Sequence, residues 1–82
     1  MQVVVYSKNG CPLCDEAIEH LKELQNEYPI TINVVDIYEN DDLLEKYQLM
    51  IPVVEIKGEI IGYGKLEKNF LRKRLLEESY VD

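Results

Sequence analysis

The residues with the clearest chemical potential are two cysteines, Cys11 and Cys14, which are separated by a proline and a leucine. Two cysteines three positions apart at the start of a helix can close a compact disulfide, because one helical turn brings their side chains to the same side. Small secreted scaffolds instead spread several cysteines along the chain to close long loops. The pair therefore indicates a chemical role rather than a structural cross-link.

The position of each cysteine predicts a different role. A helix N-terminus has unpaired N–H groups and a partial positive charge, and both lower the pKa of a thiol placed there. We therefore expect Cys11 to be the nucleophile, and Cys14, one turn inside the helix, to resolve a mixed disulfide formed on Cys11. Lys8 adds a nearby cation, whereas Asp15 and Glu16 add anions that oppose thiolate formation. Activation of intermediate strength is expected.

The same two cysteines are compatible with other chemistry. A Cys-x-x-Cys pair is also half of a tetrahedral zinc or iron–sulfur site, but His20 is the only further soft ligand in the chain. His20 lies about 240° round the helix from Cys14, so it should point away from the dithiol as a surface residue. We expect no metal site within one chain. A redox-sensing or metal-sharing binding module without turnover, and an adaptor with inert cysteines, stay open as alternatives.

Length and composition limit what surrounds the dithiol. The chain has 82 residues, 46% of them hydrophobic, which predicts one small domain over residues 1–82 that removes about 60% of its unfolded surface from water. No apolar run approaches the ~20 residues of a membrane span, and the opening residues 1–6 lack the basic region and the longer apolar core of a signal peptide. The net charge of −7 argues against a nucleic-acid partner. We expect a soluble, cytoplasmic monomer that binds neither nucleic acid nor a membrane.

The first elements deliver the cysteines. Residues 2–6 are a β-branched run that predicts a strand, and the turn residues after it place Cys11 in a loop. Apolar residues at three- and four-residue spacing then predict an amphipathic helix from Pro12 to Tyr28. Proline suits the first turn because its missing N–H has no helical partner there, and Pro29 should end the helix.

The remaining chain completes an alternating pattern. Residues 31–37 predict a largely buried second strand, and Asn40 can cap a short helix. Residues 53–61 predict a hairpin, and a final helix should follow Gly64. The order β-α-β-α-β-β-α predicts an α/β fold with a mixed four-stranded sheet and helices on both faces. The inner side of the last helix is expected to contain Leu66, Phe70, Leu71, Leu75 and Leu76.

The C-terminal part of the chain is weakly basic. Residues 57–82 hold six of the nine cations, and residues 1–56 hold eleven of the sixteen acids. Isolated surface charges contribute little, so the basic residues are expected to form an ordinary solvated helix face rather than a docking patch.

The segment from Tyr6 to Cys14, Tyr-Ser-Lys-Asn-Gly-Cys-Pro-Leu-Cys, resembles the active-site segment of glutaredoxins. In that family a strand, a lysine-bearing loop and Cys-Pro-x-Cys occur in the same order. The likeness continues at residues 51–53, Ile-Pro-Val, where thioredoxin-like proteins have a cis-proline beside the dithiol. The chain is also similar to short glutaredoxin-like proteins of the thioredoxin superfamily, which have Asp-Glu-Ala after the second cysteine and a later Pro-Val-Val strand.

The resemblance implies a thioredoxin-like fold and a dithiol–disulfide oxidoreductase with Cys11 and Cys14 as catalytic residues. It implies that Lys8 supports the thiolate or binds a carboxylate, and that a cis Pro52 turns the backbone of Ile51 toward an extended peptide or glutathione. The expected substrate is a disulfide-containing protein or a glutathione mixed disulfide. A reductase or glutathione would be the reductant. No bound cofactor is implied, with glutathione entering only as a co-substrate.

One feature departs from the glutaredoxin pattern. Glutaredoxins usually have an acidic pair at the start of the last helix that holds the ammonium group of glutathione, whereas this chain has Lys65 and Leu66. The resemblance therefore implies that glutathione binds more weakly here, and that a protein partner or a different reductant is preferred.

Overall fold

A computed structural model describes residues 1–79, so the last three residues of the predicted domain, 80–82, lie outside the described part. The elements in chain order are β1 (Gln2–Ser7), α1 (Pro12–Leu24), β2 (Thr31–Asp36), a short 3₁₀ helix (Ile37–Glu39), α2 (Asp41–Tyr47), β3 (Val53–Ile56), β4 (Glu59–Tyr63) and α3 (Lys68–Ser79). The four strands form one sheet in the order β2-β1-β3-β4. β1 pairs with β2 in parallel, and β1–β3 and β3–β4 are antiparallel. The predicted α/β order and mixed sheet are confirmed.

The two faces of the sheet carry different helices. Alternate residues of a strand point to opposite faces, so Val3 and Val5 of β1 join α1 and α3 in the larger core, while Tyr6 joins the 3₁₀ helix and α2 on the other side. The larger core contains Val3, Val5, Ala17, Leu21, Leu24, Ile30, Val54, Ile56, Ile61, Leu66, Leu71 and Leu75. The smaller one contains Ile37, Tyr47 and Val53.

The prediction of a largely buried second strand is wrong. β2 lies at the edge of the sheet, and Thr31, Asn33 and Val34 are exposed, with Val34 at 51%. An apolar run cannot by itself distinguish an edge strand from a central one, because neighbouring strands come from distant parts of the sequence. β1 and β3 are the central strands.

The first helix is shorter than predicted. α1 ends at Leu24 and not at Tyr28, and the backbone N–H groups of Asn26 and Glu27 bond to carbonyls three residues back, at 3.1 and 2.9 Å. Such bonds tighten the final turn of a helix. Tyr28 still packs against the larger core, so its apolar spacing indicated burial rather than helix.

The other predicted boundaries hold with small changes. Asn40 caps α2 as predicted, since its side-chain oxygen accepts bonds from the N–H groups of Asp42 and Leu43 at 2.8 and 3.2 Å. Lys57 and Gly58 form the hairpin turn with positive φ angles of 55° and 78°, the backbone that a two-residue hairpin turn requires.

The inner side of the last helix is only partly as predicted. Leu66, which precedes α3, is buried with Leu71 and Leu75, but Phe70 and Leu76 are 41% and 42% exposed. The ring of Phe70 lies over Gly62 of β4, where an added Cβ atom would come within 2.7 Å of it. None of the helices in residues 1–79 has the length and apolar character to cross a bilayer.

Candidate dithiol site

The end of β1 and the start of α1 fix the position of Cys11. The strand ends at Ser7, and Gly10 turns the chain with a positive φ of 71°. Cys11 then caps α1 with an extended backbone (φ −110°, ψ 101°), and Pro12 occupies the first turn as predicted. The N–H of Asp15 donates to the carbonyl oxygen of Cys11 at 3.0 Å, which starts the helical ladder. Cys11 is therefore the N-cap residue of α1.

The two cysteines form a disulfide, with their Cα atoms 5.2 Å apart. The backbone N–H of Cys14 donates to Sγ of Cys11 at 3.2 Å, so the sulfur takes the place of the usual capping oxygen. Cys11 is 7% exposed and Cys14 is 1% exposed. This N–H, together with the positive end of the helix, would stabilise a negative charge on Cys11 once the disulfide is reduced.

The loop that carries Pro52 reaches the same end of the sheet. The peptide bond between Ile51 and Pro52 is cis, as the resemblance implies. Tyr6 pairs with Val53, so the residues just beyond that pair, Ser7 and Pro52, come next to each other near the loop that leads to Cys11. Pro52 is buried and Ile51 is half-buried. The dithiol helix and the Pro52 loop, residues 50–52, thus start from adjacent strand ends.

A third segment joins this end of the sheet. The backbone N–H of Gly64, just after β4, donates to the carbonyl oxygens of Pro52 at 2.9 Å and of Met50 at 3.1 Å. Gly64 has a positive φ of 76°, a conformation that L side chains rarely adopt. The segment after β4 is therefore bonded directly to the Pro52 loop.

Lys8 lies on the exposed loop three residues before Cys11. Among residues 1–79 it forms no ion pair with a carboxylate. Its ammonium group is available to solvent near the start of α1. The structure therefore brings the dithiol and Pro52 to one end of the sheet and leaves Lys8 at the edge of that region.

An ion pair near the dithiol was missed by the sequence analysis, which treated its two members separately. Nζ of Lys65 lies 2.7 Å from Oε1 of Glu16, two residues after Cys14. The hydrogen bond from Lys65 lowers the pKa of Glu16, and the same bond raises the pKa of Lys65. Glu16 is therefore a paired anion rather than a free one beside the thiolate.

Two more basic residues of the C-terminal part form ion pairs with the region of α1, on a surface that stays partly exposed to solvent. Lys68 pairs with Glu23 at 3.3 Å and Arg72 pairs with Glu27 at 2.9 Å. The sequence contains a pattern that fits these pairs. The acids Glu16, Glu23 and Glu27 recur at helical spacing, and so do the cations Lys65, Lys68 and Arg72. Only the packing of α3 beside α1 shows that the two rows meet.

His20 lies on α1 between two carboxylates. Its ring nitrogens are 3.8 Å from Glu16 and 3.8 Å from Glu23, and its side chain is 24% exposed. Within residues 1–79, no group of three or more His, Cys, Asp and Glu side chains is arranged to hold a metal ion.

A tyrosine pair packs on the α2 side of the strand that leads to the dithiol. The rings of Tyr6 and Tyr47 are 4.7 Å apart, and the Tyr6 hydroxyl donates to Oε1 of Glu55 at 3.2 Å. Burial, and next the charge of Glu55, raise the pKa of Tyr6. These contacts anchor the end of β1 one residue before Ser7.

The fold and the site can be compared with known structures. Protein XcR50 from X. campestris is 25% identical, with a TM-score of 0.79 over 92% of this chain and 96% of that one. Reduced Escherichia coli glutaredoxin is 24% identical, with a TM-score of 0.66 over 99% of this chain and 100% of that one. Mitochondrial thioredoxin 3 from Saccharomyces cerevisiae is 22% identical, with a TM-score of 0.66 over 93% and 76%. The fold is therefore thioredoxin-like.

A family model assigns the chain more specifically. The model of the glutaredoxin-like domain (DUF836) matches residues 2–76, which include the dithiol, the Pro52 loop and most of α3. This match and the cysteine pair at the start of α1 support a redox-related role. The chain belongs to the glutaredoxin-like domain family (DUF836).

Proposed function

We propose that this protein is a dithiol–disulfide oxidoreductase that acts through Cys11 and Cys14. The observation that carries the proposal is the bond from the Cys14 N–H to Sγ of Cys11 at the start of α1, 3.2 Å long. A donor fixed at that position favours the thiolate form of Cys11, and the thiolate is the reactive form in disulfide exchange.

The proposed reaction has two exchange steps. The Cys11 thiolate attacks one sulfur of a substrate disulfide, a new S–S bond forms, and the first substrate sulfur leaves as a thiolate that takes up a proton. The Cys14 thiol loses its proton and attacks Sγ of Cys11, which releases the second substrate sulfur and closes the Cys11–Cys14 disulfide. The substrate gains two electrons and two protons, and an external thiol reductant returns them to the protein.

The burial of the two cysteines fits these roles. Cys11 is 7% exposed and Cys14 is 1% exposed, so an incoming disulfide should meet Cys11 first. The disulfide between the two cysteines has the bonding that the second step would produce. For the substrate itself, we propose that the backbone of Ile51, beside the cis Pro52, bonds to an extended segment as a sheet edge does. Lys8 would attract a substrate carboxylate at the edge of the site.

We further propose that a disulfide-containing protein is a better substrate than a glutathione mixed disulfide. Lys65 stands where glutaredoxins usually have an acid, and its ammonium group is bound to Glu16. That place therefore lacks the free carboxylate that would hold the ammonium group of glutathione. Since Lys65 is paired, we expect weakened use of glutathione rather than none.

The main experiment traps the first intermediate. With Cys14→Ser the second step is blocked, so a mixed disulfide on Cys11 should accumulate in cell extract, and mass spectrometry identifies its partner. Cys11→Ser is the control and should capture nothing. Turnover of insulin disulfides by the unchanged protein, with dithiothreitol as the reductant, tests the complete cycle.

Other outcomes would favour the alternatives. A folded, reduced protein that turns over neither insulin nor a glutathionylated small disulfide would contradict the proposal. Stoichiometric metal after anaerobic purification would then support a module that shares a metal between chains. Robust turnover with glutathione, unchanged by replacing the exposed Lys65 with aspartate, would contradict the preference for a protein substrate.

A further inference from the structure

In the described part of the chain, three ion pairs join the region of α1 to the region of α3, and we call them the ion-pair row. Lys65–Glu16, Lys68–Glu23 and Arg72–Glu27 have N···O distances of 2.7, 3.3 and 2.9 Å. The row starts near the dithiol and ends beyond the C-terminus of α1, because Glu16 is in the second turn of that helix and Glu27 follows its last residue. The pairs are alike in chemistry and differ in their distance from the site.

The first pair differs from the others in what it connects. Lys68 and Arg72 belong to α3, whereas Lys65 lies in the segment between β4 and α3. The residue before Lys65 is Gly64, whose N–H is bonded to the carbonyl oxygens of Pro52 and Met50. Lys65 is therefore one peptide unit away from the backbone bonds that hold the Pro52 loop.

The other end of this pair is on the dithiol helix. Glu16 follows Cys14 by two residues on α1. A continuous path thus runs from the Pro52 carbonyl to the Gly64 N–H, along one peptide unit to Lys65, and across the ion pair to α1. Apart from the sheet itself, this path is a direct link between the two parts of the site that must face the same substrate.

We propose that Lys65 and Glu16 are positioning residues for disulfide exchange, which fix the Pro52 loop relative to the dithiol helix. The inference rests on the proposed function. Neither residue needs to touch the substrate: a bound segment must contact the Ile51 backbone and present its sulfur to Cys11 at the same time, and small errors in such geometry slow a reaction. The row's distal pair, Arg72–Glu27, has no such link to the Pro52 loop.

The exposure of the two side chains distinguishes a positioning role from a role in stabilising the fold. The side chains of Lys65 and Glu16 are 56% and 35% exposed, and ion pairs of this kind contribute little to the stability of a folded protein. Loss of the pair should therefore leave the unfolding transition almost unchanged. Its effect should appear where both parts of the site act together, in the reaction with a protein disulfide.

The experiment measures insulin reduction, with dithiothreitol as the reductant, and iodoacetamide alkylation of Cys11 for the same set of variants. Lys65→Ala and Glu16→Gln should each lower kcat/KM for insulin by about two- to five-fold, mainly through KM, the range expected when one exposed ion pair is lost. Alkylation in the double variant Lys65→Ala, Glu16→Gln should stay at the rate of the unchanged protein, because this variant leaves no unpaired charge near the dithiol and a small reagent does not use the Pro52 loop. The matched controls Arg72→Ala and Glu27→Gln should change neither measurement.

A charge exchange tests the pair directly. The double variant Glu16→Lys, Lys65→Glu should recover most of the lost kcat/KM, because the ion pair is restored with its direction reversed. Equal turnover in the Lys65 and Arg72 variants would overturn the inference, as would alkylation that falls in parallel with turnover in the double variant Lys65→Ala, Glu16→Gln, since the pair would then act on the thiolate itself. A failure of the unchanged protein to reduce insulin or another disulfide would overturn the proposed function as well.

Discussion

The two faces of the sheet differ in how much they bury. Within residues 1–79, the face covered by α1 and α3 has twelve buried core residues, whereas the face covered by the 3₁₀ helix and α2 has three, with partly buried side chains around them. α1, which carries the dithiol, packs on the larger core. Met50 and Ile51 of the Pro52 loop pack against the smaller one.

Because of this difference, the two faces should hold their parts of the site with different rigidity. Burial of apolar surface is the main source of stability, so the larger core holds the cysteines in place. A region with fewer buried contacts opens locally at a lower free-energy cost. The helix that carries the dithiol thus lies on the better-packed side, and the loop proposed to bind substrate lies on the side that can adjust more easily.

The largest expected effect comes from weakening the larger core. Leu21→Ala should lower the free energy of unfolding by about 2–5 kcal/mol, because Leu21 is fully buried and its removal leaves a cavity. Leu44→Ala, in the half-buried part of the smaller core, should cost about 1 kcal/mol. Urea denaturation followed by circular dichroism measures both, and equal losses would show that the faces do not differ in stability.

The next effect separates the two cysteines, which lie on one helix. At neutral pH, iodoacetamide should modify Cys11 of the reduced protein at least about tenfold faster than Cys14, because the start of α1 favours the Cys11 thiolate and Cys14 is almost fully buried. Peptide mapping by mass spectrometry over a time course gives the two rates. Equal rates, or faster labelling of Cys14, would remove the basis for assigning nucleophile and resolving residue.

A smaller effect is expected from the polar contact of the smaller core. Tyr6→Phe removes the bond to Glu55 and should lower stability by about 0.5–1.5 kcal/mol at neutral pH. The raised pKa of Tyr6 means that the folded state keeps this proton more firmly than the unfolded chain. The contribution of protonated Tyr6 to the free energy of unfolding is therefore present below the ordinary tyrosine pKa of 10.0 and is lost as pH rises through the pKa of Tyr6 in the folded state.

Denaturation curves across alkaline pH compare the two proteins. The unchanged protein should lose more stability than Tyr6→Phe above the ordinary tyrosine pKa. Parallel decline of both would mean that other groups account for the alkaline loss and that this bond contributes nothing to it.

The smallest effect concerns the ion-pair row on the larger face. The hydrogen bond from Arg72 lowers the pKa of Glu27. The contribution of this ion pair to the free energy of unfolding is therefore present above the ordinary glutamate pKa of 4.5 and is lost as pH falls through the pKa of the folded state. Glu27→Gln should therefore flatten the acid side of the stability profile slightly. Thermal unfolding between neutral and acidic pH measures this change, and an unaltered acid profile would show that the pair is fully screened by solvent.

Much of the dithiol helix could be predicted from the sequence. Cys-Pro-x-Cys after a turn cluster indicated the helix start, and local hydrogen-bond chemistry decides such features. The same is true of the Asn40 cap and of the hairpin turn at Lys57 and Gly58. The cis bond at Pro52 came from the resemblance alone, since most X–Pro bonds in folded proteins are trans.

The features that the sequence left open depend on which elements become neighbours. The exposure of Val34 follows from the edge position of β2, and the ion pair between Lys65 and Glu16 joins residues 49 positions apart. No local sequence pattern predicts a contact between residues so far apart in the chain, because the two charges meet only when α3 packs beside α1. The sequence by itself determined the two cysteines proposed to react and the helix start that would favour the thiolate of one of them, and the tertiary structure decided which contacts connect that helix to the Pro52 loop.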